Sequence, residues 1–342
     1  APCWKRAFPA FTFIVSTNPT PPLGWSRIWD SNPHHAPQFM KRIISGASGF
    51  VGQLLVDAWR AQAVPVVPIQ RVEHSEALRE AVAWNVGTGW LDHAQLEGAS
   101  VVVHLAGENV GSGRWTRRKK ERIRGSRVDG TRQLVSALSR LKCPPSLFLC
   151  ASATGFYGPS SEGSRNETHP SGEGFLASVC SAWETEAMRA AEAGIRTVLL
   201  RFGVILDPRK GALKKMLLPF RLGLGGCIGS GSQYMPWIGS HEIPHAVEFL
   251  MQQQAISGPV NLVSPEPMTN QEFTRALARQ LNRPALLPLP AFAVRLLFGE
   301  MGEETLLSSC RAEPKVLTDH AYPFRHPTLR EALARLLSSL PT

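Results

Sequence analysis

The stretch Lys41–Arg60, KRIISGASGFVGQLLVDAWR, decides the fold. Arg42–Ile44 is a short aliphatic run, a turn of small residues follows, and Val51–Gln62 then carries apolar residues at helical spacing, so the stretch reads as strand, turn and helix. Gly46, Gly49 and Gly52 punctuate the turn at three-residue intervals. Such a series lets the backbone turn tightly and approach an anion, while the helix N-terminus aims its unpaired N–H groups at that anion. Gly46 is expected to make the turn, Gly49 to admit a pyrophosphate and Gly52 to allow close helix packing, with Ser48 and Phe50 on the same edge. The pattern predicts a dinucleotide site.

Outward from this turn, Val64–Ile69, Val101–Ala106, Leu147–Ala151 and Thr197–Phe202 are short apolar runs bounded by Gly, Pro or polar residues and read as buried parallel strands. Lys119–Leu141 and Ser178–Ala193 carry helical patterns between them. Strands alternating with helices predict an α/β fold: a Rossmann-like doubly wound parallel sheet, with a smaller C-terminal substrate or lid domain. Residues 40–205 are assigned to the dinucleotide-binding domain, with later segments returning to it, and 206–342 to the substrate-binding and C-terminal domain. Residues 1–39, rich in Pro and Trp and lacking either hydrophobic period, read as an unstructured extension.

The second strand selects the cofactor. An acidic residue at its end would bind the 2′-hydroxyl of NAD, but the chain offers Gln70 and Arg71. A guanidinium suits a 2′-phosphate by charge and by bidentate geometry, so NADP(H) is expected. In VVVHLAGENV (101–110), Leu105, Ala106 and Gly107 would let the cofactor lie over the strand end, with Glu108 and Asn109 on the nicotinamide side.

Together, SGASGFVG, HLAGENV, ASATGFYG and VLLRFGVIL resemble the extended short-chain dehydrogenase/reductase superfamily of the NAD-dependent epimerase/dehydratase type. RWTRRKKERIRGSRVDGTRQLV, CSAWETEA, KKMLLPFRLGLGGCIGSGSQYMPWI and the tail from Pro265 to Leu336 are similar to one subgroup, the epimerase-family proteins with a C-terminal domain of unknown function, sometimes labelled cell-division inhibitors. The resemblance implies an oxidoreductase or epimerase using a Tyr-x-x-x-Lys pair, in which Lys lowers the Tyr pKa so that it exchanges a proton. Alignment on Glu184 puts Leu176 at the Tyr position and Cys180 at the Lys position, and neither side chain can do that work. Ser152 and Thr154 match the usual hydroxyl position at the end of the fifth strand, and Tyr157 is a further candidate proton donor. A non-catalytic NADP(H)-binding regulator or sensor is the alternative. The subgroup usually has a His and two acidic residues after Trp237 and Ile238; here Gly239 replaces the His, His241 and Glu242 stand in for the acids, and Pro244 is expected to disturb the next helix.

The substrate is expected to be a small polar molecule with an anionic group. Pro219–Gln233 reads as a glycine-rich loop beneath a substrate domain, and Arg221, Gln233, Tyr234 and Trp237 are the expected substrate contacts. Thr269 and Glu272 form a capping-box start for a helix through Leu281, and Pro290–Phe298 and Leu329–Leu340 read as amphipathic helices. The basic run Arg114–Arg127 invites a nucleic-acid reading in a chain of net charge +10. Its apolar face at Ile123, Val128, Leu134 and Leu138 instead argues for a helix with solvated arginines, with Arg114 or Arg127 able to face the cleft. No nucleic-acid partner is expected, and the superfamily resemblance implies a homodimer through helices such as Lys119–Leu141 and Ser178–Ala193. Six scattered cysteines without a C-x-x-C pair argue against a disulfide framework or a metal site and fit a reducing cytoplasm. No apolar run has the roughly 20 residues of a membrane-spanning helix.

Overall fold

Adjacent apolar pairs account for the sheet. Ile43 and Ile44, Val102 and Val103, Phe148 and Leu149, and Leu199 and Leu200 are all buried, and successive strand residues point to opposite faces, so each pair supplies one side chain to each face. The computed structural model describes residues 41–160 and 163–338; the expected extension over 1–39 lies outside them. In chain order the main elements are β1 (Arg42–Ser45), α1 (Phe50–Ala61), β2 (Val66–Arg71), β3 (Val82–Asn85), β4 (Trp90–Leu91), β5 (Val101–His104), α2 (Arg117–Leu138), β6 (Leu147–Ala153), α3 (Phe175–Glu192), β7 (Arg196–Phe202), β8 (Val204–Leu206), α4 (Gly211–Arg221), β9 (Trp237–Gly239), α5 (Ile243–Gln252), β10 (Gly258–Leu262), α6 (Asn270–Leu281), α7 (Ala291–Phe298) and α8 (Leu329–Leu337).

The large sheet has the order β10-β7-β6-β5-β1-β2-β3-β4. All its pairings are parallel except β3 with β4. On one face α2 and α3 set Leu134, Leu138, Trp183 and Ala187 against Ile43, Val102 and Phe148. On the other, α1 and α5 set Leu55, Trp59, Val247 and Leu250 against Ile44, Val103 and Leu149. β1 lies between β5 and β2, so the chain leaves it in opposite directions across the sheet. This reversal opens a crevice at the carboxyl ends of β1 and β5, where open α/β sheets bind ligands. A separate core packs Leu213, Leu217 and Phe220 of α4 with Phe273 and Leu277 of α6 and Leu329 and Leu333 of α8.

Three local differences from the sequence reading have identifiable causes. α2 starts at Arg117, two residues before the expected Lys119, because the Thr116 hydroxyl caps it by accepting from Lys119 N. α4 runs through Pro219 to Arg221, so the expected loop over 219–233 begins later; its buried Leu213, Leu217 and Phe220 hold the helix despite the hydrogen bond that Pro219 cannot donate. Pro244 leaves α5 undisturbed, since it sits in the first turn, where its missing N–H would have had no intrahelical partner.

Candidate functional site

The crevice begins with Ser45. Its Oγ accepts from the N–H groups of Leu105 (3.1 Å) and Ala106 (3.3 Å) and lies 2.6 Å from His104 Nδ1. With its lone pairs taken by two amides, the hydroxyl gives its proton to Nδ1, which leaves the imidazole proton on Nε2. His104 is fully buried, and that burial together with the nearby Arg127 charge depresses its pKa to about 4. β1 and β5 are thereby pinned where the cofactor floor must be rigid.

From this floor Gly46 turns at φ +71° with no room for a Cβ, which would lie 2.9 Å from the Leu105 carbonyl carbon. At Gly52 a Cβ would meet the Gly46 oxygen at 2.1 Å, so α1 can start this close to the strand only with glycine there. Gly49 is the N-cap of α1, no side chain caps it, and no acid lies in the first turn. The helix N-terminus therefore presents N–H groups to an anion. Gly46, Ser48, Gly49, Arg71, Leu105, Ala106 and Gly107 line one cleft of about 1010 Å³. Phe50 and Gly52 are behind this lining, in the helix. Arg71, exposed at the end of β2, stands at the cleft edge. Gln53, on α1, is bonded to Lys210 at the start of α4.

Beyond Gly107 the chain is tied to α2. Arg127 donates to the Glu108 carbonyl (3.0 Å), lies over the Trp183 ring (5.2 Å) and passes so close to Gly107 that a Cβ there would meet its guanidinium at 3.1 Å. Glu108 turns away from the cleft to pair with Lys119 at 2.5 Å, and Lys119 and Arg122 hold its carboxyl below the usual range. Asn109 caps its own turn by accepting from Gly111 N (2.8 Å), and its side chain borders a different cavity, farther out.

The three hydroxyl candidates separate. Ser152 donates to Glu184 (2.6 Å) and is 3% exposed. Glu184 in turn receives a bidentate pair from Arg201 at 2.8 and 2.7 Å. Tyr157 accepts from Arg201 (2.9 Å) and donates to Asn261 (2.8 Å); burial pushes its phenol up to about 12. Ser152 and Tyr157 are therefore parts of a closed buried network around Arg201, and Tyr157 is placed away from the role of a loop proton donor. Thr154 lines an inner cavity of about 260 Å³ at the carboxyl ends of β6 and β7. Leu176, at the usual Tyr position, lines the same cavity, whereas Cys180 is buried and its thiol is pushed up to about 12 by that burial.

Of the expected substrate contacts, Gln233 and Tyr234 line the inner cavity. Gln233 spends its amide on the carbonyls of Ile228 (2.9 Å) and Leu306 (3.0 Å), and Tyr234 carries Arg311 over its ring at 5.4 Å. Trp237 is placed in the core instead, 1% exposed, with its indole donating to the Glu266 carbonyl. Arg221 ends α4 on the surface, outside the lining of both cavities.

Sequence reasoning missed Glu304, whose two carboxylate oxygens accept the N–H groups of Phe175 and Leu176 at 2.8 Å each. The signal was present: α3 opens on Gly174 without a Ser, Thr, Asp or Asn, so its first amides need an acceptor from elsewhere. It also missed the pairing of His241 with His326, whose rings stand 4.4 Å apart beside Glu242, with both His241 nitrogens and His326 Nδ1 unpartnered. These three residues have a spacing that could hold a metal ion, contrary to the expectation of no such cluster. The His241 ring fills the space above Gly239, where a Cβ would lie 2.5 Å from it. The two departures at 239 and 241 thus compensate each other sterically.

Residues 42–262 match the sequence model of the NAD dependent epimerase/dehydratase family, more than half of the chain. The chain belongs to this family. Residues 289–336 match a domain of unknown function, DUF1731. Among similar family members, the Mycobacterium bovis epimerase family protein Mb2239 is 40% identical over 290 residues, covering 85% of this chain and 95% of the relative. The human epimerase family protein SDR39U1 is 30% identical over 302 residues, 87% of this chain and all of the relative. The crystal structure of human SDR39U1 isoform 2 with NADPH superposes with a TM-score of 0.79 at 29% identity, covering 88% of this chain and 100% of that one. A nucleoside-diphosphate sugar epimerase from Corynebacterium glutamicum superposes at 0.71 and 29% identity, covering 87% of this chain and 58% of that one. Among the described residues no helix is long and apolar enough to cross a membrane.

Proposed function

We propose that the protein binds NADP(H) and acts as an oxidoreductase on a small molecule seated in the inner cavity beside Thr154. The observation that carries this reading is the cleft at the strand reversal: Gly46, Gly49 and Gly107 line it without side chains, α1 offers it an uncapped N-terminus, and Arg71 stands at its edge with a charge that suits a 2′-phosphate. The NADPH bound to human SDR39U1 supports the same assignment. When bound, the nicotinamide supplies or accepts a hydride. The first amides of α1 hold the pyrophosphate, Arg71 the 2′-phosphate, and Ala106 and Gly107 the floor under the nicotinamide half. Thr154, Tyr234, Thr305 and Ser308 are the hydroxyl-bearing residues that line the inner cavity. Of the described residues, those from 41 to 205 with the returning α5 and β10 make the cofactor domain, and the rest of 206–338 covers the substrate.

A second reading, a non-catalytic NADP(H) sensor, is favoured by Leu176 and Cys180 at the usual Tyr and Lys positions and by the engagement of Ser152 and Tyr157 around Arg201. Calorimetric titration with NADPH and NADH tests the common part. NADPH is expected to bind tighter, and Arg71→Ala to weaken it about tenfold or more, some 1.4 kcal/mol. Failure of both nucleotides to bind would remove both readings. Loss of nicotinamide absorbance with an added carbonyl substrate separates the oxidoreductase from the sensor.

A further inference from the structure

The inner cavity continues outward along α4 into a larger one of about 970 Å³, and Val110, Val204, Met216, Ile228 and Leu306 line both. Its walls are apolar in a way that the expected polar substrate does not explain. Phe220, Leu224, Leu289, Phe298 and Met301 line the outer part. The polar side chains that line both cavities are already engaged: Asn270 Oδ1 accepts from Ile228 N (2.8 Å) and Thr305 donates to the Met301 carbonyl (2.6 Å); on the inner side Gln233 holds two carbonyls and Thr154 donates to the Phe202 carbonyl (3.4 Å). A sugar placed there would lose water from its hydroxyls and find few partners, at a cost for each unpaired group.

The charged residues lining the outer cavity are Arg209, Lys210, Lys214 and Lys215, all cationic and all at the N-terminal end of α4. At the other end the lining residues Leu224 and Leu287 are 56% and 55% exposed and continue into exposed Leu218, Leu222 and Leu286. The cavity therefore has an apolar length with positive charge at one end and an apolar mouth at the other.

We propose that the substrate is an anionic amphiphile: an alkyl or other hydrocarbon body along α4, with a carboxylate or phosphate met by the Lys214 and Lys215 end. This deepens the oxidoreductase reading and rests on it for the word substrate, but the cavity's preference can be measured without turnover. The test is calorimetry of the full chain saturated with NADPH, using dodecanoate, dodecanol and UDP-glucose as probes, each below its aggregation concentration. Dodecanoate is expected to bind at one site at least about tenfold tighter than either other probe. Met216→Trp, which fills the shared wall, and Leu224→Asp are each expected to weaken it about tenfold, with NADPH affinity unchanged. The double variant Lys214→Glu, Lys215→Glu is expected to remove the advantage of dodecanoate over dodecanol.

Preferred binding of UDP-glucose, no binding of dodecanoate, or dodecanoate binding untouched by Met216→Trp and Leu224→Asp would each overturn the proposal. Equal affinity for dodecanol and dodecanoate in the unaltered chain would overturn its anionic part. If NADPH does not bind while dodecanoate does, the oxidoreductase reading fails and the cavity assignment stands.

Discussion

Arg201 is the residue around which the candidate catalytic positions organise. It lies near the end of β7, 3% exposed, with both oxygens of Glu184 on its guanidinium and the Phe156 ring 3.6 Å away. A buried charge of this kind is tolerated because its partner is geometrically matched, and removing one member strands the other. Glu184→Gln is therefore expected to destabilise the protein by about 3–5 kcal/mol in urea unfolding, whereas Ser152→Ala, which removes one donor to the same carboxylate, costs about 1 kcal/mol. A fall of less than about 1 kcal/mol for Glu184→Gln would show that water reaches Arg201. His104 gives a pH dependence of known sign. Its folded pKa, about 4, is below its unfolded value, so the neutral imidazole is the favoured form in the fold. Its contribution is complete above about pH 6.5 and is lost as the pH falls toward 4, amounting to about 2 kcal/mol between pH 7.5 and 5. Unfolding of the protein and of His104→Gln at the two pH values isolates it, since the variant should lose less stability by that amount.

Elements were legible where one segment carries its own signal. β1, α1 and the glycine turn follow from twenty consecutive residues, and the capping box at Thr269 and Glu272 is present as read, with a second at Thr328 and Glu331. α6 and α8 pack on each other through Phe273, Leu277, Leu329 and Leu333, so both caps secure the same core. Thr269→Ala and Thr328→Ala are each expected to cost about 1 kcal/mol. Substituting both should cost more than their sum if the two helices loosen together, a coupling that a double-mutant cycle in urea measures. Legibility ended where partners come from distant segments. A charged Arg201 inside the aliphatic run VLLRF was a visible signal for a buried ion pair, but its partner Glu184 is on another element. The cavity along α4 has walls from segments as far apart as Val110 and Leu306, and no single stretch predicts that they meet. Trp237 was misplaced for the same reason: an aromatic beside a glycine-rich loop reads equally as wall or as core, and burial against α4 and α6 decides for core.

At the scale of the whole molecule, charge is the property that sequence and structure value differently. The net charge is +10, and the run Arg114–Arg127 is dense enough to suggest a duplex-binding face. In the fold, Lys119 and Arg122 pair with Glu108, Lys120 with Glu300 and Arg117 with Glu121, while Arg127 is drawn in beneath Gly107. Duplex affinity depends on releasing counterions from several phosphates at once, and a cation already held by a carboxylate releases fewer. Binding of a short DNA duplex is therefore expected to be absent at physiological salt and weak below it, as read by fluorescence anisotropy. Saturable binding whose logarithm falls with log salt at a slope of several would contradict this account. The remaining positive field acts on smaller anions. Arg60 and Arg71 line the cofactor cleft, and Lys210 reaches its edge through Gln53. Steering by such a field is a rate effect that ions screen over about 8 Å at physiological ionic strength. Stopped-flow association of NADPH should slow with added salt while its dissociation rate changes little, and Arg60→Ala should flatten that dependence. Equal salt dependence of both rates would place the cations in the bound contact rather than in the approach.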